Sequence, residues 1–203
     1  MAVASYNTTI KAGGTPTTMT DEDMSVVTGN QYQIDDGTKQ ILDRDTDVTV
    51  KVDGTTVDSS NYSIDYLFGM VTFTSSQTGD VTISGKFIPT TAVGGASQYG
   101  LNISSDILDK TDFETTGFRS KDYGLSDVSV TLERFDDLAN TFKDKILNRE
   151  GLMIEITPGG GSEKIRGWYV PESANNAGDV SSLETEALTF NLNGNIKSAF
   201  SWR

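Results

Sequence analysis

The sequence predicts a mainly β protein, a β-sandwich of two packed sheets with one flanking α-helix and an inserted region rich in β-hairpins. Three observations lead there. Apolar and polar residues alternate in most segments that have any period, which marks half-buried strands. A helical period occurs clearly in one segment, between residues 135 and 146. Turn signals such as Asp35-Asp36-Gly37 and Asp53-Gly54 punctuate the chain at short intervals.

Taken in order, residues 5–10 alternate and read as a first strand, followed by a Gly/Thr/Pro-rich loop over 12–18. Residues 20–27 fit a capped helical turn about as well as a strand. Residues 31–34 and 39–42 are short strand candidates around the Asp35-Asp36-Gly37 turn. Val48, Val50 and Val52 alternate with Thr49 and Lys51, and Asp53-Gly54 closes them into a hairpin. Tyr62, Ile64 and Tyr66 alternate again, Gly69 breaks the pattern, and Val71 and Phe73 resume it. Residues 80–88 form another strand that ends at Pro89. Residues 21–65 hold eleven acids and three basic residues, so this region should be a small β-subdomain with an apolar core and an acidic outside.

Residues 90–98 are rich in Thr, Gly, Ala and Ser and are expected to form a loop. Tyr99, Leu101 and Ile103 begin the next strand, and residues 107–121 read as a long excursion without period. From Gly124 to Glu133, Val128, Val130 and Leu132 alternate with Asp127, Ser129, Thr131 and Glu133. The period then becomes helical: Phe135, Leu138, Ala139, Phe142 and Ile146 lie on one face, which predicts a helix over about 136–148. Asp136 or Asp137 suits its N-terminus, Lys143, Lys145 and Arg149 its other end, and Gly151 its stop. Phe135, Leu138, Phe142 and Ile146 are expected to be buried against a sheet. Residues 152–156 and 164–170 flank Pro158-Gly159-Gly160-Gly161-Ser162 as a hairpin. Residues 171–179 are expected to be a loop and 181–192 a closing strand. In that strand Leu188, Phe190 and Leu192 share a parity with Glu184 and Glu186, which suggests a bulge or change of sheet near Ala187. The organisation is thus an N-terminal strand and loop over 1–31, a hairpin-rich insertion over 32–88, and a sandwich with its helix over 89–203.

Composition excludes much chemistry. The 203 residues include no cysteine and no histidine, which removes disulfides, thiolate ligands and the commonest general base and metal ligand. Sixteen basic against 29 acidic residues give a net charge of −13, which favours neither nucleic acid nor an anionic membrane. The first residues show no signal peptide, and no run approaches a membrane span. Asp43, Asp45 and Asp47 alternate like the start of a calcium loop, but Val48 and Gly54 stand where the loop needs Gly and Glu. A solvated turn is the better reading. The Gly pairs and the Gly159-Gly160-Gly161 run lack phosphate-loop spacing. Trp168 inside a strand reads as core, and Trp202 as a docking contact or a disordered residue. No catalytic residue, cofactor or metal is expected, and the chain is not read as an enzyme.

The run Gly124, Leu125, Asp127, Ser129, Val130, Leu132, leading into one amphipathic helix, a hairpin and a long last strand, resembles the major tail tube protein of long-tailed bacteriophages. That family is related to the tube protein of type VI secretion. Residues 111–119, with Asp112, Thr115 and Phe118, fit the same pattern, as do 62–66 and 69–73 as an inserted hairpin. The likeness covers residues 99–194 best. It implies a structural virion protein that self-assembles into stacked hexameric rings, forming a tail tube through which DNA is ejected without specific binding. It also implies other tail proteins as partners, no membrane, and a location in the virion tail after assembly in host cytoplasm. The polar positions Asp127, Ser129, Thr131 and Glu133 would face the lumen, joined by Asn102 and Ser104 of a neighbouring strand. The competing reading is an Ig-like adhesin or a virion decoration module, with Trp and Tyr on a sheet face as its binding surface.

Overall fold

A computed structural model describes residues 7–111, 118–135, 141–178, 183–194 and 199–203. The elements in chain order are β1 (Thr9–Gly13), β2 (Thr17–Thr28), β3 (Gln31–Ile34), β4 (Thr49–Val52), β5 (Thr55–Thr56), β6 (Tyr62–Asp65), β7 (Met70–Phe73) and β8 (Val81–Phe87). Then follow β9 (Thr90–Ala92), β10 (Ala96–Asp109), β11 (Lys121–Phe135), α1 (Thr141–Leu147), β12 (Leu152–Thr157), β13 (Ile165–Ala177), β14 (Thr185–Leu192) and β15 (Phe200–Trp202). The chain is mainly β, with two sheets and one short helix among the described residues.

Two compact units divide it. The first comprises Met1–Val93, Met153–Trp168 and Asn195–Arg203, the second Gly94–Leu152 and Tyr169–Gly194. In the first, seven antiparallel strands run in the order β5-β4-β8-β2-β3-β7-β6. Alternation sends Val50, Val71, Phe73 and Ile83 inward, where each is at most 1% exposed, together with Ile34 and Leu42. Tyr32 and Tyr62 set their rings edge-on to Phe73 at 5.5 and 6.0 Å. Asp53 and Gly54 both have positive φ (49° and 75°), the geometry that a two-residue hairpin of this hand requires. A second strand set, β9-β1-β12 with the start of β13, pairs Thr9 with Thr157 and Lys11 with Ala92. Its Met153 and Trp168 pack with Ile41, Leu67, Phe68, Met70 and Ile88.

In the second unit the order is β10-β11-β14, followed by the latter part of β13. Val128, Val130, Leu132, Leu188 and Phe190 fill its buried face. Phe142 of α1 is buried there, edge-on to Phe190 at 5.5 Å.

Several expectations are corrected. Phe135 is the last residue of β11, not a helical one, and is 44% exposed. Ile146 is half-buried. Asp136, Asp137, Leu138 and Ala139 lie outside the described residues, so the described helix is shorter than 136–148. Residues 39–42 form no strand. Leu42 makes one bridge to Phe87 and donates its N–H to Tyr66 O, so its backbone is shared between two elements and no ladder can extend. Residues 90–98 are not a loop: β9 pairs with β1, and β10 begins at Ala96. Residues 171–177 continue β13, with Pro171 at a register shift where a missing N–H is tolerated. Of the excursion expected over 107–121, residues 107–109 belong to β10 and pair with β11, and Lys110 donates its N–H to Ser120 O, while residues 112–117 lie outside the described residues. The first strand starts at Thr9, and residues 5 and 6 lie outside the described residues, as do Asp112 and Thr115. β14 itself carries no bulge at Ala187, since it pairs with β11 without interruption from Thr185 to Asn191; the irregularity nearby lies on β13, between Pro171 and Ser173 opposite Phe190 and Thr189.

Candidate functional site

The six polar residues singled out in the sequence come together on one face of the second unit. β10 and β11 pair with Asn102 opposite Ser129 and Ser104 opposite Asp127. Directly opposed residues in an antiparallel pair point to the same side. Thr131 and Glu133 follow at alternate positions of β11, opposite Gly100 and Gln98. On the other flank of β11, Ser129, Thr131 and Glu133 meet Asn191, Thr189 and Ala187. Asp127, Thr131, Glu133, Asn102 and Ser104 are exposed and Ser129 is half-buried, while Val128, Val130 and Leu132 between them are buried.

Local chemistry supports the face. Asp127 Oδ1 accepts from Val128 N–H at 2.8 Å, and Ser97 Oγ donates to Glu133 O at 3.1 Å. Asn191 Nδ2 donates to Glu172 Oε2 at 2.9 Å. A Cβ on Gly100 would come within 2.7 Å of Thr131 Oγ1, so glycine there leaves room for the threonine hydroxyl on the crowded strand pair. Segments 96–104, 127–133, 170–177 and 185–191, which build this sheet, contain no lysine or arginine.

The opposite face carries what sequence reasoning missed. Arg134 and Glu186 are cross-strand partners, and Nε donates to Oε2 at 2.7 Å with both side chains buried. Lys143 of α1 places Nζ 3.6 Å from Glu186 Oε1, and the Arg134 guanidinium lies 5.2 Å from the Phe142 ring centre. The parity of Glu186 with Leu188 and Phe190 was the available signal. It reported a buried carboxylate, not a bulge.

Beyond Ser104 and Asp127, β10 and β11 continue as a two-stranded ribbon, since β11 pairs with β14 no further than Ser129. Ile107, Tyr123 and Leu125 on this ribbon are each more than half exposed, and Phe118 is 85% exposed. Among the described strands, the outer edge of β10 pairs with none.

The other candidates resolve into local structure. Asp43 is buried and uses its carboxylate on Asp45 N–H (3.2 Å) and Thr46 Oγ (2.6 Å), as a turn does. Among the described residues no three acidic side chains gather as a metal site. Trp168 is buried with the Arg44 guanidinium 4.7 Å from its ring centre, and Trp202 is half exposed in β15, donating Nε1 to Glu163. No described helix is long and apolar enough to cross a membrane.

No family model matches the chain, and no curated protein matches it in sequence. Among solved structures, it is similar to a chain of the virion of a native gene transfer agent particle, with a TM-score of 0.48 and 14% identity. The alignment covers 56% of this chain and 88% of that one.

Proposed function

We propose that this chain is a non-catalytic structural protein of a virion tail, assembling with copies of itself into stacked hexameric rings that form a tube for DNA. The observation that carries this reading is the cation-free polar face built by segments 96–104, 127–133, 170–177 and 185–191. A channel that conducts DNA must avoid holding it. Lysine and arginine on its wall would bind phosphates in succession, while Asp127 and Glu133 repel them. The resemblance of residues 124–132 to tail tube proteins supports the same role. So does the ribbon: a long strand edge without a partner among the described strands, carrying exposed apolar side chains, favours pairing with another copy.

The test is electron microscopy of the purified chain at rising concentration. Rings or tubes with sixfold symmetry, their inner wall formed by Asp127 and Glu133, are expected. A chain that stays monomeric at every concentration, or one that binds glycan as a monomer, contradicts the assignment.

A further inference from the structure

A pocket of about 250 Å³ opens in the first unit between the β1–β12–β13 strands and the segments around Thr38 and Phe87. Its floor is a row of charges. Lys11 and Glu155 are cross-strand partners, with Nζ 3.2 Å from Oε1. Arg166 donates Nε to Glu155 Oε2 at 2.7 Å and Nη1 to Leu67 O at 2.7 Å. Glu155 and Arg166 are almost fully buried. One carboxylate therefore serves two cations. Lys164 adds a third at the same pocket, and no carboxylate of the described residues lies within ion-pair distance of it. In a chain of net charge −13, this enclosure is locally cationic. Burial, and then repulsion by Arg166, hold the Lys164 ammonium below the usual lysine range despite the opposing pull of Glu155.

We propose that this pocket binds a small oxyanion, a phosphate- or carboxylate-bearing molecule, held by Lys164 and Lys11 with Arg166 fixed behind them. Size restricts the class. At roughly 30 Å³ per water, the volume equals about eight waters, which admits a phosphate on a short carbon skeleton. It falls below the ~300 Å³ at which pockets for drug-sized ligands begin. Phe87 and Pro89 line the wall and suit the carbon part. The buried Arg166–Glu155 pair presets the geometry, so little reorganisation opposes binding.

The experiment uses the full chain and inorganic phosphate, followed through the lysine side-chain signals by NMR, with chloride at equal ionic strength as reference. A saturable response at Lys164 and Lys11 is expected. Lys164→Met keeps the stem and removes the charge. It should weaken binding about tenfold or more, since a charge-assisted hydrogen bond to the anion is lost. Lys51→Met, which removes a surface partner of Asp21 on the other sheet, should leave binding unchanged. In the unmodified chain, phosphate should also raise the titration midpoint of Lys164. No saturable response beyond that of chloride, an unmoved Lys164 midpoint, or undiminished binding by folded Lys164→Met would each overturn the proposal.

Discussion

Arg134 and Glu186 face each other across β11 and β14 with Nε 2.7 Å from Oε2, both buried among Val130, Leu132 and Leu188 on the inner side of the polar sheet. Removing Glu186 takes from Arg134 and from Lys143 the buried carboxylate that faces both. Glu186→Ala should therefore destabilise the chain by about 3–5 kcal/mol, read as a shift in the denaturant midpoint. The double variant Arg134→Met with Glu186→Leu should recover most of that loss, because apolar side chains replace the buried pair. A single variant that unfolds at the parent's midpoint refutes the pair's role.

The seven-stranded sheet offers a second test. Val50 is fully buried in its core. Val50→Asp puts an unpaired carboxylate there at a cost on the order of 3 kcal/mol or more. Amide exchange should accelerate throughout β4, β8 and β2. Exchange unchanged in β8, which pairs directly with β4, would contradict the assigned core.

Acid stability should depend on Glu155. Burial alone would push its carboxyl up, but Arg166 and Lys11 outweigh that and hold it below the usual glutamate value of 4.5. A depressed folded value means the pair stabilises above the unfolded value. That contribution is lost as pH falls from about 4.5 through the folded value. Glu155→Gln should flatten this acid limb and leave the slope near neutrality unchanged. Denaturation curves across the acid range measure it, and an acid limb as steep as the parent's would exclude Glu155 as its source.

Which parts of this architecture were legible follows from what period reports. Val48 to Val52, Tyr62 to Phe73 and Val128 to Leu132 announced themselves because one side of each strand is apolar. Asp127, Ser129, Thr131 and Glu133 were legible for the same reason, as the complement of that pattern. Thr90–Ala92 and the run from Pro171 to Ala177 were not, because backbone ladders to β1 and β14 hold them rather than apolar side chains. Gln98, Thr189 and Asn191 joined the polar face only through register, which no single strand encodes. Glu186 misled because parity gives a residue's side and not its partner's charge.

The proposed lumen leads to a functional prediction. Asp127→Lys with Glu133→Lys reverses two charges on every copy of the exposed face while sparing the buried side. Screening acts over about 10 Å at moderate salt, so lysines on a narrow channel wall would hold DNA at successive rings. Assembly should proceed, DNA release from otherwise normal virions should slow, and added salt should relieve the defect. Normal release with both lysines shown on the inner wall would end the electrostatic account.

The pairing of Thr9 with Thr157 also orders events during synthesis. β1 leaves the ribosome long before β12 exists, and at roughly 5–20 residues per second the wait is several seconds or more. β2 to β8 lie in one contiguous stretch and can fold during that interval. Among the described strands, β1 can pair with β9 but not with β12 until residues 154–157 appear. Nascent chains crowded on one message therefore cannot complete this strand set early. An assembly that needs this strand set complete is deferred until β12 has been made.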